Sequence, residues 1–199
     1  MAERTIEIPE IRLGTIMVGI IGQTPLLTNR FREKARQKIE DKQQKKAKGP
    51  KDARNPTEEF EDACHVISEG VYGFPAVGIK KALVVAGGRF ADEKMTHLRG
   101  VINIMSDMIE IKAKAPKMRS DTVRLSNGVT SIAYRPMFMP WEMEVPVKFN
   151  ASIIGEAQIL NLFQIAGFSV GIGAWRPECN GTFGTFALNG SAVMGQAAE

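Results

Sequence analysis

The stretch "YGFPAVGIKKALVVAGGRF", residues 72–90, runs from a Pro/Gly pair straight into an apolar segment and closes on two glycines. Proline suits the first turn of a helix because it lacks the donor that this turn leaves unpaired, and glycine tolerates a left-handed exit. The bracket predicts a turn at Gly73 and Pro75 followed by a helix from Ala76 to Ala86. Ile79, Ala82, Leu83 and Ala86 recur at spacings of three and four and form one apolar face, with Lys80 and Lys81 off its centre.

The flanking segments decide what that face packs against. Upstream, residues 6–20, "IEIPEIRLGTIMVGI", alternate as a first strand does, with a bend expected at Pro9 or Gly14. A basic segment follows and reads as a helix from Arg30 to Lys48, stopped by Gly49 and Pro50. In "NPTEEFEDACHVI", Asn55 caps a helix, Pro56 takes its first position and acids fill the first turn, where they complement the helix dipole. Downstream, the pattern gives a short helix ending near Gly100, a strand from Val101 that continues through "DMIEIKA", and a hairpin signalled by Asn127–Gly128. "WEMEVPVKFN" alternates again. Between Gly155 and Ala166, Gln158, Asn161 and Gln164 mark the exposed stripe of a helix, and the chain closes on a glycine-rich stretch and the strand "GTFGTFAL".

In order, this is an α+β chain with the β-α-β-β-α-β pattern of a ferredoxin-like fold: an antiparallel sheet backed by helices, a basic helical insertion after the first strand and an extra hairpin in the middle. One face of such a sheet stays open, and RNA-recognition domains bind on that face.

Composition narrows the function classes. With 199 residues and 44% apolar content the chain supports a substantial core as one domain, 1–199. Two cysteines, Cys64 and Cys179, are too few for a disulfide framework, and with His65 and His97 they make a poor zinc set, so no cofactor is expected. The N-terminal "MAERTIEIPEIRLG" lacks the apolar core of an export signal. The longest uncharged stretch, Ala157–Trp175, is interrupted by polar residues and glycines, so no membrane span is expected. These features lead us to expect a soluble, cytoplasmic protein.

The net charge of +4 is unevenly placed. Residues 30–54 hold 11 Lys or Arg against 4 Asp or Glu, which leaves 15 basic and 18 acidic residues for the rest of the chain. A charge run is often only a solvated face, but an internal +7 insertion on a mildly acidic body is the pattern of polyanion binding.

Three motifs then resemble successive signatures of the RAMP superfamily, the repeat-associated proteins that include backbone subunits of CRISPR effector complexes. They are "GQTPLLTNRF" after the first strand, "YGFPAVGIKKAL" at the core helix and "GIGAWRPECNGTFGTFAL" near the end. The family's Pro turn, helix lysine and following Leu correspond to Pro75, Lys80 and Leu83, and its glycine loop, here 171–184, to Gly171, Gly173, Gly181 and Gly184. Val77 or Gly78 stands where the family has Ser, and Lys81 where it has Gly. The string is also similar to bacteriophage proteins. The resemblance implies a non-catalytic subunit that binds single-stranded nucleic acid and assembles side by side along it.

The residues expected to carry binding are Arg30, Arg32, Lys42, Lys45, Lys46 and Lys48 of the insertion, and Lys80 and Lys81 on the core helix. At a helix start, backbone donors, the helix dipole and an ammonium can converge on a phosphate. Trp175 and Arg176 suit base stacking from the glycine loop. Catalysis finds little support: Cys64 and His65 are adjacent on an expected helix and diverge, and Asp92 and Glu93 near His97 make no two-metal cluster. The rival readings are a RAMP-like endoribonuclease with His97 or His65 as general base, and a phage structural protein with protein-only contacts.

Overall fold

The computed structural model describes residues 10–31, 33–46, 53–124 and 128–196, with side chains through residue 190 except at 34, 35 and 38. In chain order its elements are β1 (Leu13–Gly22), β2 (Leu26–Leu27), α1 (Glu33–Gln43), α2 (Pro56–Ala63), β3 (Val66–Ser68), β4 (Val71–Pro75), α3 (Ala76–Phe90) and α4 (Met95–Val101). There follow β5 (Ile102–Ile104), β6 (Met108–Glu110), β7 (Lys112–Ala113), β8 (Lys117–Arg124), β9 (Thr130–Phe138), β10 (Trp141–Asn150), α5 (Glu156–Ile165) and β11 (Phe186–Gln196). A π turn, Ala166–Val170, extends α5, and a 3₁₀ turn occupies Pro177–Cys179.

The main sheet runs in the order β11-β1-β10-β5, every pair antiparallel, with β7 on the far part of β10. Helix α3 connects β1 to β5 and α5 connects β10 to β11, so the chain has the expected ferredoxin-like β-α-β-β-α-β arrangement. Alternation explains which face is covered. Ile16, Val18 and Ile20 of β1 and Trp141, Met143, Val145, Val147 and Phe149 of β10 are buried in one core with Ile79, Ala82, Leu83 and Ala86 of α3 and Ile159, Leu162 and Phe163 of α5. The stripe Gln158, Asn161 and Gln164 is exposed, as its period requires. No helix among the described residues is long and apolar enough to cross a membrane.

Several boundaries differ from expectation, each for a local reason. The first strand is Leu13–Gly22, and Ile6, Ile8 and Pro9 lie outside the described residues. The approach to α3 is a strand: β4 pairs with β6 as far as Pro75↔Met108, so the chain passes from a strand into the helix without an intervening turn. Helix α3 runs on to Phe90 through Gly87 and Gly88, because Leu98 and Met95 of α4 fill the space a Cβ would need at those positions. The paired glycines therefore admit a neighbouring helix instead of ending their own. Asn55 does cap α2, accepting from the amides of Thr57 at 3.1 Å and Glu58 at 3.4 Å, but the helix ends at Ala63, so Cys64 and His65 lie on the segment entering β3. The strand expected from Val101 divides into β5 and β7, which both pair with β10, and β6, which pairs with β4.

The insertion helix is confined to Glu33–Gln43 and has no extensive packing against any other element. The hairpin forms as β8 and β9, the last described pair being Arg124↔Thr130; Asn127 lies outside the described residues. The hairpin is held at its root and again near its turn. β9 pairs with β2 through Leu26↔Phe138 and Leu27↔Met137, and Arg54 holds Glu59 of α2 through two bonds while donating to Ile132 O at 2.6 Å.

One helix therefore offers a matched stability test. Leu83, 1% exposed, should cost about 2 to 5 kcal/mol when cut to Ala, as buried Leu truncations do. Lys80→Ala on the same helix should change stability by no more than about 0.5 kcal/mol. Parallel urea titrations of the two variants check both values.

Candidate nucleic-acid interface

The loop after β1 is set by a tight approach. Gly22 has no room for a side chain because the Trp141 indole lies against it, and the Trp141 Nε1–H donates to Thr24 O at 2.9 Å. From that point the loop is stitched to the glycine-rich segment mainly backbone to backbone. Gln23 N–H donates to Thr185 O at 2.9 Å, Gly184 N–H to Pro25 O at 2.9 Å and Ala174 N–H to Leu27 O at 2.8 Å. Ile172 N–H closes the glycine segment on itself through Gly184 O at 2.9 Å. Gly173, at φ +81°, and Gly184, at φ +69°, take left-handed conformations, and a Cβ on either would run into a carbonyl, Leu27 O or Ile172 O. These glycines let two pieces of main chain meet.

This seam lies beside the start of α3 and encloses a cleft of ≈ 380 Å³. Thr28 and Asn29 come from the first loop, Pro75 from the end of β4, Val77, Gly78 and Lys81 from α3, Gly171 to Ala174, Arg176 and Glu178 from the glycine segment, and His65 from the segment before β3. All three sequence motifs thus contribute to one cavity. The helix start has no side-chain cap. Ala76 N–H is taken by Asp107 O at 2.9 Å, while the next first-turn amides, of Val77 and Gly78, have no carbonyl one turn back to bind. Thr28 is 2% exposed and its Oγ1 has no hydrogen-bond partner. An unpaired buried hydroxyl at a cavity wall, beside free amides at the positive end of a 15-residue helix, is a seat for an anion.

The two adjacent lysines diverge. Lys81 lines the cleft, whereas Lys80 turns to the other flank of α3, where its Nζ donates to Asn103 Oδ1 at 3.4 Å beside Ser106 and Asp107. Arg176 faces the cleft but is engaged, donating from Nε to Glu178 Oε2 at 2.9 Å and from Nη1 to Gly173 O at 3.0 Å. Arg89 approaches the same carboxylate at 3.7 Å. Burial pushes the Glu178 carboxyl up, but the hydrogen bond and charge of Arg176, with the charges of Lys81 and Arg89, outweigh it and hold the group below its usual range. His65 is held low by burial and then by the Arg30 charge, so its imidazole stays neutral more readily than a free one. Cys64 is pushed up to about 11, chiefly by burial, and is an inert thiol at neutral pH.

The other expected residues lie elsewhere. Lys42, Lys45 and Lys46 are exposed at the end of α1, with Lys46 paired to Asp41 at 3.0 Å; Arg32 and Lys48 lie outside the described residues. Trp175, 41% exposed at φ +58°, sits on the outer side of the glycine segment and does not line the cleft. Thr28, Asn29 and Phe168 were not singled out from sequence. Phe168, on the π turn, is 83% exposed, and its spacing from Gln158, Asn161 and Gln164 could have revealed it as a continuation of the exposed stripe. The hairpin adds Arg119, stacked 5.0 Å over the Phe183 ring, directly opposite the partly buried Arg135. The open sheet face presents Thr15, Met17, Glu142, Glu144 and Lys148 without an aromatic platform, and Glu144 is tied to Lys112 at 2.7 Å. His97 lies in a separate hollow between α4 and α5. No group of three or more His, Cys, Asp or Glu among the described residues could hold a metal ion.

No family model and no curated protein matches this chain. A solved structure does: a chain in the cryo-EM structure of the Type III-B Cmr-beta complex bound to cognate target RNA, at a TM-score of 0.59 and 11% identity, covering 94% of this chain. This chain spans 62% of that one's length. The likeness is one of fold.

Glu178 yields a pH test. Because its folded pKa lies below the ordinary value, its stabilising contribution is full above about pH 4.3 and is lost as pH falls through the folded pKa. Glu178→Gln should melt below the wild type at neutral pH, and the two melting temperatures should converge on acidification. Thermal melts across pH 3 to 7 (about the range set by ordinary carboxylates) give the comparison.

Proposed function

We propose that this chain is a non-catalytic subunit that binds single-stranded nucleic acid and assembles side by side along it, as a CRISPR-type RNA backbone or a phage-type single-strand binder in the cytoplasm. The observation that supports this most directly is the cleft at the start of α3, whose lining residues Thr28, Val77, Gly78 and Lys81 offer an unpartnered hydroxyl, two first-turn amides and an ammonium as donors. Phosphodiester oxygens are acceptors only and match that set. The RNA-bound complex containing the structural neighbour adds to the reading. The charge of the insertion supplies a second, sequence-independent attraction, reaching the strand from outside the cleft.

A second reading has one observation in its favour. His65 lines the same cleft with its imidazole held neutral, the state a general base needs, so an endoribonuclease remains the alternative. Incubation of the chain with end-labelled single-stranded RNA separates the two: a mobility shift with intact strand supports the binder, and a cleavage ladder lost in His65→Ala supports the enzyme.

The cleft makes an unusual prediction for Thr28→Val. Affinity for a short homopolymer should fall by about 2- to 10-fold with the missing hydrogen bond, while the melting temperature holds or rises, since an unpaired buried hydroxyl costs about 1 to 3 kcal/mol. Lys81→Ala should weaken binding similarly in a normally stable protein. Anisotropy titrations beside thermal melts decide it, and unaltered affinity in both folded variants would remove the cleft from the binding surface.

Reversing Lys42, Lys45 and Lys46 tests the insertion separately. Every phosphate that the variant no longer neutralises should lower the slope of log affinity against log salt by about 0.7, equally for all sequences. An unchanged slope would show that the insertion serves another purpose.

A further inference from the structure

The seat at the start of α3 consists of donors, yet the cleft also contains an acceptor that a phosphate cannot use. His65 is half-buried in the cavity wall, and its ring makes no hydrogen bond to any described residue. Its position is fixed through the main chain: Gly73 N–H donates to His65 O at 2.8 Å, and two residues earlier Arg30 N–H donates to Ala63 O at 3.0 Å. Two other acceptors in the cleft are already engaged. Glu178 holds Arg176 and Arg89, and Gly173 O receives Arg176 Nη1. Asn29 stands exposed on the rim.

A half-buried, unpaired acceptor calls for a ligand group with a hydrogen to give. In a polynucleotide the donor nearest to a backbone phosphate is the 2′-hydroxyl of the adjoining ribose; base amino groups lie beyond the sugar, and deoxyribose has no such donor. At ≈ 380 Å³ the cleft is within the range of pockets that enclose small molecules, so it admits a sugar as well as a phosphate. Burial and the nearby Arg30 charge keep a ring nitrogen free to accept.

We propose that His65 reads the sugar of the bound strand, one ring nitrogen accepting a hydrogen bond from the ribose 2′-hydroxyl next to the phosphate seated at the start of α3. The inference rests on the nucleic-acid reading of the same cleft and commits that cleft to RNA over DNA.

The experiment titrates the full chain with matched end-labelled oligouridine, oligodeoxyuridine and 2′-O-methyl oligouridine, the last keeping the oxygen but not its hydrogen. Wild type should bind the ribose strand about 2- to 10-fold tighter than the other two, the range that one net hydrogen bond supplies. His65→Ala should bring ribose binding down to the deoxyribose level and leave deoxyribose binding unchanged. His65→Gln, which keeps an acceptor, should retain part of the preference. Equal binding of all three strands by wild type, or a preference that survives His65→Ala, would overturn the assignment. The two readings fail separately: wild type that binds no strand overturns both, whereas strand binding that is lost in Lys81→Ala but shows no sugar preference overturns this one alone.

Discussion

The candidate site depends on main chain meeting main chain between the loop after β1 and the glycine segment before β11. Their hydrogen bonds, Gly184 to Pro25, Ala174 to Leu27 and Gln23 to Thr185, join segments from opposite ends of the chain, and Gly173 and Gly184 leave open the space that a Cβ would take from Leu27 O and Ile172 O. The sheet order makes this possible. Because β11 lies beside β1, the end of the first strand and the approach to the last emerge at the same edge. The Trp141 indole, set over Gly22 and bonded to Thr24, fixes the angle at which the first loop leaves the sheet. Thr28 and the first turn of α3 line one cleft as a result of that geometry.

Much of the fold was legible because it depends on periodicity. The α3 face, the α5 stripe, the Asn55 cap and the order of strands and helices follow from spacing and local chemistry. What was misread depends on tertiary neighbours. Gly87 and Gly88 look like a helix stop, and only the presence of Leu98 and Met95 shows them to be a packing notch. Pro75 looks like a turn, but it is the last residue of β4, beyond the part of that strand that pairs with β3, and it pairs with Met108 of β6 on one side alone.

The site was legible in its segments and obscure in its atoms. The three motifs named the loops that converge, yet sequence could not separate Lys80 from Lys81, since both flank the same apolar stripe and only the position of β5 and the glycine segment assigns them to opposite sides. Thr28 carried no signal at all. A threonine in "LLTNR" reads as loop, and its burial follows from its amide bonding Pro136 O at 3.2 Å at the root of the hairpin. The dense charge of the insertion was the loudest feature of the sequence, whereas the enclosed geometry belongs to residues of modest polarity.

Glu178 changes how the cleft should be weighed electrostatically. Arg176 looks from sequence like an available cation, but it is already neutralised by a carboxylate that is 11% exposed and also faces Arg89. An arriving phosphate gains no new charge compensation from a guanidinium so engaged, and the ions condensed around a strand are set free only by cations that were unpaired beforehand. The count of basic residues around the cleft therefore exceeds its ionic valence. Lys81 lines the cleft as a cation with no carboxylate bonded to it, whereas Arg176, bonded to Glu178 and to Gly173 O, is an internal strut of the glycine segment.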